Sequence, residues 1–304
     1  MTKNCSKCLK PAITFIRYNG THLCRDHFIE YFERRVKKEI KKQGKTKENS
    51  KIAVAVSGGK DSTVTLNIIH EIFSKRTNID IYCITVDEGI KGYRDKSIKF
   101  VRKNCKKLGI DHHIISFKDT NGKTMDEITL LRDELGECSY CGVFRRLCLN
   151  NESKKLEIDR LVTGHNLDDM TQSILMNFVN GDVQKLARLG PHKKIQPGLV
   201  PRMLPLRSIP EKEVTLYAFI KNIEYHDAEC PYSTRALRGV FRDIIDNLEY
   251  KNPGTRHSIL NSYDGIKELL LEKYPPTKLN KCLKCGEPTS QKFCKVCILK
   301  DRIL

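Results

Sequence analysis

Three short stretches of this 304-residue chain hold residue types whose spacing could do chemistry. The first is Ser57-Gly58-Gly59-Lys60-Asp61-Ser62, which leaves the apolar run IAVAV (52–56) and enters a helical pattern. Glycines there let a backbone approach a phosphate without Cβ clash, and the free N–H groups of the helix start can hold its oxygens. Ser57 and Ser62 add hydroxyls and Lys60 a cation. The spacing is not the Walker pattern, which needs four residues between Gly and Gly-Lys. The second stretch, Thr163-Gly164-His165-Asn166-Leu167-Asp168-Asp169, follows another apolar run. Its two carboxylates open a helix, where the dipole favours them, and capping alone accounts for one of them. The third is Cys138-x2-Cys141, to which the distant Cys230 adds a third thiol. Three thiolates are one short of a closed four-ligand site. They could hold a [4Fe–4S] cube with one iron free, act as a persulfide pair through Cys141 or Cys230, bind zinc, or simply be buried structural cysteines.

The remaining clustered cysteines lie near the ends. Cys5-x2-Cys8 and Cys24-x2-His27 are separated by fifteen residues, and Cys282-x2-Cys285 and Cys294-x2-Cys297 by eight. Both spacings suit a tetrahedral zinc ion, whose binding would supply the folding energy of such small modules. Cys83, Cys105 and Cys148 have no motif partner, and core packing is their expected role.

The elements that must position these groups alternate. Strands are expected at 52–56, 79–87, 112–117 and 160–165, and helices at 62–73, 95–108 and 168–180. Alternation of this kind argues for an α/β fold with a parallel sheet and helices on both faces. Ligands then bind beyond the carboxyl ends of the strands, at the loops after Val56, Val86 and Thr163. Pro-rich residues 190–210 read as loop, Pro210 as a helix start running to about Asn222, and 233–251 and 257–273 as two further helices. The chain divides into an N-terminal zinc module (1–27), a basic helical linker (28–48), a catalytic domain (49–225), a helical extension carrying Cys230 (226–275) and a zinc ribbon (276–304).

Lys and Arg number 55 against 37 Asp and Glu, a formal charge of +18. That excess suits a polyanionic partner such as RNA, and is equally what a merely solvated basic surface carries. Within the linker, Arg34, Arg35, Lys37, Lys38, Lys41 and Lys42 could meet phosphates. The chain has no run of 18 or more apolar residues, so no membrane span is expected, and the first ten residues have no apolar signal core. A cytoplasmic setting with reduced thiols is expected, so clustered cysteines read as metal ligands rather than disulfides.

Ser57–Ser62 resembles the pyrophosphate loop of the N-type ATP pyrophosphatases, which cleave ATP between the α- and β-phosphates and adenylate a substrate. Terminal zinc modules flank this SGGKDS loop, a CxxCG-x-x-[RK]-R stretch, a TGHN-x-DD stretch and a later ECPY cysteine. That order resembles the archaeal and eukaryotic tRNA 2-thiouridine synthetases, the TtuA and wobble-uridine thiolase group, over nearly the whole chain. The resemblance implies a Rossmann-like doubly wound sheet. It implies that ATP is bound by Ser57, Gly58, Gly59, Lys60, Asp61, Ser62, Gly164, His165 and Asp168, with Asp61 also at Mg²⁺ and Asp169 the catalytic carboxylate. One zinc would sit on Cys5, Cys8, Cys24 and His27 and another on Cys282, Cys285, Cys294 and Cys297. A [4Fe–4S] cluster would sit on Cys138, Cys141 and Cys230. In the T-loop-modifying branch a catalytic lysine falls where this chain has Arg145. The sequence CGVFRR looks more like the wobble-uridine branch, and it casts Arg145 as a phosphate or oxyanion partner.

The expected reaction is adenylation of a uridine C2 oxygen followed by displacement of AMP by sulfur. Free sulfide, a desulfurase persulfide or a ubiquitin-like carrier would supply the sulfur, and a homodimer is implied. Thiolation of a T-loop uridine or a cytidine, a different adenylating synthetase and a non-enzymatic zinc-dependent RNA-binding protein are the competing readings.

Overall fold

The computed structural model describes residues 3–44, 46–76, 78–131, 133–191, 196–232 and 238–303. Its centre is a five-stranded, all-parallel sheet in the order β5-β4-β3-β6-β7. The strands are β3 (Ser50–Ala55), β4 (Ile79–Asp87), β5 (Asp111–Ser116), β6 (Arg160–Val162) and β7 (Arg202–Met203). The chain runs outward from β3 through β4 to β5, then returns to the other side of β3 for β6 and β7. The reversal between β3 and β6 is where a doubly wound sheet opens a crevice at its carboxyl edge.

Strand residues alternate between faces, so β3 feeds two cores. Ile52 and Val54 join one with Phe28, Phe32, Val36, Ile68, Val101 and Tyr217. Ala53 joins the other with Ile84, Phe117, Tyr140, Phe144 and Leu161. The first face is covered by α1 (Arg25–Lys42), α2 (Lys60–Phe73), α3 (Arg94–Leu108) and α9 (Glu211–Ile220). The second is covered by α4 (Phe117–Asn121), α5 (Met125–Thr129) and α6 (Glu137–Lys155). A third apolar group joins α7 (Leu167–Val179) and α8 (Val183–Ala187) to α11 (Thr255–Lys273). The helix α10 (Arg238–Lys251) also packs on α7.

The expected elements are present with shifted ends. The strand expected to include Phe117 stops at Ser116, because the Ser116 hydroxyl accepts from Lys118 N and Asp119 N and caps α4. The helix expected from 233 is described from Arg238; residues 233–237 lie outside the described residues, as do 192–195 of the Pro-rich stretch. Helix α6 was not anticipated. Its buried Tyr140, Phe144 and Cys148 recur every four residues, which makes one apolar stripe.

The terminal modules are built into this frame. The hairpin of β1 (Thr14–Ile16) and β2 (Thr21–Leu23) leads directly into α1, which carries His27. The boundary expected at residue 27 therefore falls inside a helix, and the apolar face of that helix belongs to the sheet core. Arg35 is correspondingly withdrawn from solvent partners, paired with Glu213 at 2.6 Å. At the other end, β8 (Asn280–Lys281) pairs with β9 (Pro288–Thr289), and α12 (Lys295–Ile303) sets Leu299 and Ile303 into the core beneath α6.

Candidate functional site

A cavity of about 400 Å³ opens at the carboxyl ends of β3, β4 and β6, lined at its floor by Val56, Val86 and Thr163. Its rim carries Ser57, Gly59, Lys60, Asp61 and Ser62 from the first motif and Gly164, His165 and Asp169 from the second. Gly59 is the N-cap of α2, so the first amides of that helix face the opening. Gly58 has φ +91°, and a Cβ there would meet the Ser97 carbonyl at 2.7 Å. Glycine is required on both counts. The loop is tied internally by Ser57 N to Ser62 Oγ (3.1 Å) and Ser62 Oγ to the Gly59 carbonyl (2.9 Å). Arg94 Nη1 donates to the Ser57 carbonyl at 2.7 Å. Gly164 brings the second motif against the first, since a Cβ on it would lie 2.9 Å from Asp61 backbone atoms.

The two adjacent aspartates face different ways. Asp169 lines the cavity, forms a capping box with Asn166 and accepts from Arg238 Nη1 at 3.3 Å. Asp168 points into the helical layer, accepting from Glu211 N (2.8 Å) and from Arg256 Nε (2.7 Å). Asp61 has a buried Oδ1 with no hydrogen-bond partner. Burial raises its carboxyl to about 6; Lys60 opposes the shift and Asp169 adds to it. A desolvated carboxylate with one oxygen unpartnered, beside a second carboxylate, suits a divalent cation. His165 is exposed at the rim; desolvation among the groups around it lowers its imidazole pKa, Asp169 opposes the shift, and its Nδ1 lies 2.9 Å from Thr163 Oγ1. Lys60 Nζ is paired with Glu211 Oε1 at 2.7 Å.

On α6, Cys138, Cys141 and Arg145 are spaced i, i+3, i+7 and share one helix face. Arg145 lines the cavity, and its Nη2 donates to Cys141 Sγ at 2.9 Å. Cys138 Sγ donates to the Tyr232 carbonyl at 3.7 Å, which brings the turn after Cys230 over the start of α6. Burial raises the Cys141 thiol to about 11, with Arg145 opposing and Glu88 and Cys230 adding to the rise. Among the described residues only the two terminal sets gather their ligand atoms within 4.8 Å. Cys138, Cys141 and Cys230 are not among them, so these three are not gathered around a single ion; thiols are the donor type that an iron–sulfur cluster takes.

The first terminal set comprises Cys5, Cys8, Cys24 and His27, with Cys5 and Cys24 Sγ each 3.4 Å from His27 Nδ1. Its partner set comprises Cys282, Cys285, Cys294 and Cys297, with Cys285 and Cys294 Sγ 3.5 Å apart. Backbone amides already donate to these sulfurs, as Lys7 N does to Cys5 and Cys294 N to Cys282. Thiolate donors so supported fit a closed structural site. Cys83, Cys105 and Cys148 are buried core residues.

Several cavity residues carried no motif. Glu88, Arg94 and Arg238 line the opening, while Glu211 reaches it through Lys60. Only Glu88 had a readable signal, a carboxylate just past the carboxyl end of an apolar strand.

A glycine-rich loop between β3 and α2, at the switch point of a parallel sheet, defines a PP-loop nucleotide-binding protein. The PP-loop domain family matches residues 30–248, and the N-terminal LIM domain of 2-thiouridine synthetase TtuA matches residues 4–29. Over 98% of both chains, the protein is 38% identical to the tRNA 2-thiolation protein NcsA of Haloferax volcanii. It is 37% identical to cytoplasmic tRNA 2-thiolation protein 1 of Arabidopsis thaliana, over 92% of this chain and 78% of that one. The U34-tRNA thiolase NcsA of Methanococcus maripaludis, solved with its [4Fe-4S] cluster, superimposes with a TM-score of 0.87 at 38% identity, over 99% of this chain and 96% of that one. The chain belongs to this tRNA 2-thiolation family.

Proposed function

We propose that the protein is an ATP-dependent tRNA sulfurtransferase that converts a uridine, at the wobble position, to 2-thiouridine. The observation that carries this reading is the place of Arg145, which lines the nucleotide cavity and lies 2.9 Å from Cys141 Sγ. Activation and sulfur delivery would thus share one opening.

A uridine C2 oxygen is a poor leaving group. In the first step it attacks the α-phosphorus of ATP, the bond to the β-phosphate breaks and pyrophosphate departs. In the second step a sulfur nucleophile attacks C2, the C2–O bond breaks and AMP leaves with that oxygen. The amides of Ser57–Ser62 and the Lys60 ammonium hold the departing phosphates. Lys60 exchanges Glu211 for phosphate as ATP enters. Asp61 and Asp169 hold Mg²⁺, which neutralises charge on the phosphates. Asp168 anchors the start of α9, and so places Glu211. Arg145 meets the anionic oxygen of the reacting α-phosphate. Cys138, Cys141 and Cys230 would hold a [4Fe–4S] cluster, which would supply an iron free to bind an exogenous sulfur.

Two zinc ions complete the terminal modules. Exposed basic side chains contact the tRNA, and the target base leaves its stack to enter the cavity. Sulfide or a ubiquitin-like carrier delivers the sulfur, and the protein works as a homodimer in the cytoplasm. No helix among the described residues is long and apolar enough to cross a membrane.

The test is anaerobic incubation of iron-loaded protein with unmodified tRNA, Mg-ATP and sulfide, followed by nuclease digestion and mass spectrometry. ATP-dependent 2-thiouridine in the anticodon fragment is expected. Absence of both thiolation and AMP would overturn the reading.

A further inference from the structure

Glu88 follows β4 directly and is 1% exposed. Its carboxylate joins two arginines from different elements. Oε1 is ion-paired with Arg145 Nε on α6 at 2.9 Å, and Oε2 with Arg94 at the start of α3. Each arginine has a second contact. Arg94 Nη1 supports the phosphate loop through the Ser57 carbonyl at 2.7 Å, and Arg145 Nη2 lies 2.9 Å from Cys141 Sγ. Arg94 is 2% exposed and held on both sides. Arg145 is 44% exposed at the cavity mouth, and Glu88 is the carboxylate that fixes its direction. The backbone of Glu88 is itself anchored, its carbonyl accepting from Met125 N at 2.7 Å.

An unbroken series of contacts therefore runs from the phosphate loop through Arg94, Glu88 and Arg145 to Cys141. A long, flexible guanidinium held on one side by a buried carboxylate loses little further freedom on meeting an anion. We propose that Glu88 is the positioning residue that sets the nucleotide loop and the sulfur-bearing cysteines in register, acting through Arg94 on ATP binding and through Arg145 on the reacting phosphate. The proposal rests on the thiolation reading for its Arg145 half, while the Arg94 half stands on nucleotide binding alone.

The test compares wild type with Glu88→Gln, Glu88→Asp, Arg145→Gln and the double variant Glu88→Gln/Arg145→Gln. ATP affinity is measured on cluster-free protein, AMP formation with tRNA on iron-loaded protein, and iron content after anaerobic reconstitution. Glu88→Gln should weaken ATP about tenfold, the loss of one charge-assisted contact beneath the loop. It should lower kcat for AMP formation by about 10- to 100-fold, the scale of a misdirected catalytic-site group. Iron content should stay within about twofold of wild type, since the three thiols are intact. Arg145→Gln should lower kcat by a larger factor than it weakens ATP, and the double variant should lose no more kcat than the worse single one, because residues acting in series are not additive. Glu88→Asp keeps the charge but cannot reach both arginines, so its kcat should fall between wild type and Glu88→Gln.

Wild-type ATP affinity and kcat per folded molecule in Glu88→Gln, with only a lower melting temperature, would reduce Glu88 to a stabilising ion pair and overturn the proposal. Multiplying losses in the double variant would overturn the route through Arg145. If Glu88→Gln does not accumulate folded, Glu88→Asp decides by the same two quantities. If the wild type binds ATP yet forms no AMP with tRNA, the thiolation reading fails, and the affinity comparison still decides the Arg94 half.

Discussion

Lys60 is the residue on which the nucleotide reading can be tested most directly. Its ammonium sits on Glu211 at 2.7 Å, a carboxylate that itself lies at the start of α9. A polyphosphate entering the cavity offers that ammonium a stronger partner. Lys60→Ala removes the cation but touches none of the surfaces where a basic exterior would meet RNA. AMP formation is expected to fall by about 100-fold or more, the usual loss when one donor to developing charge is removed. Binding of tRNA, followed by filter retention, should stay within about twofold, as surface changes elsewhere leave it untouched. Undiminished AMP release would show that the loop is only a tight turn. Much of this site was readable from residues alone, because Ser57–Ser62 and Thr163–Asp169 are contiguous and their chemistry is local. Resemblance favoured Asp169 over Asp168 as the catalytic carboxylate, but the opposite directions of the two side chains were not readable from spacing. Neighbouring helix residues point about 100° apart, and which of them meets the cavity depends on how α7 lies on the sheet.

At the scale of elements, the N-terminal hairpin, α1, α9 and α11 meet at one polar cluster. Arg35 Nη1 donates to Tyr18 (2.6 Å) and to Glu213 (2.6 Å), and its Nη2 donates to His257 Nε2 at 3.1 Å. A guanidinium has no acceptor, so Nε2 must carry the lone pair and the ring must be neutral. Burial, and then the Arg35 charge, lower His257 to about 4. The unfolded chain takes up this proton near the ordinary histidine value of about 6.5, before the folded protein can. Stability from this group is therefore complete above that value and is lost as pH falls toward 4. Thermal melts from pH 7 to 4.5 should decline more steeply for wild type than for His257→Gln. Parallel curves would remove the histidine from the account. The apolar spacing of Phe28, Phe32, Val36 and Ile40 made α1 legible as a helix, but its place in the main core was not. A basic outer face reads the same on a tethered linker as on a docked helix.

Over the whole molecule, the C-terminal module is tied to the helix that carries Cys138 and Cys141 rather than appended to it. Leu299 is fully buried, and with Ile303 it shares a core with Tyr140, Phe144 and Cys148 of α6. Lys300 Nζ donates to the Thr120 carbonyl at 2.7 Å, and Lys154 pairs with Glu287 at 3.2 Å. The helix that α12 supports presents Cys138 and Cys141. Leu299→Ala should cost about 2–5 kcal/mol, the usual range for a buried leucine. It should also lower iron retained after reconstitution, with ATP affinity little changed. Full iron content in a destabilised variant would mean that α6 holds its cysteines without help from the ribbon.

The sequence by itself determined the local chemistry. A glycine-lined loop between strand and helix, two carboxylates opening a helix, and paired cysteines with two residues between them all act over a single turn, so their meaning travels with the string of residues. It also determined the α/β alternation and which strand ends face the ligand, since a parallel sheet leaves few alternatives. Tertiary structure decided the rest. It decided that Glu88 joins the loop to Cys141, that Asp168 turns away while Asp169 faces the cavity, and that both terminal modules belong to the central cores. Those outcomes depend on which surfaces of distant helices meet, and so on packing between residues far apart in the chain, which neither spacing nor composition records.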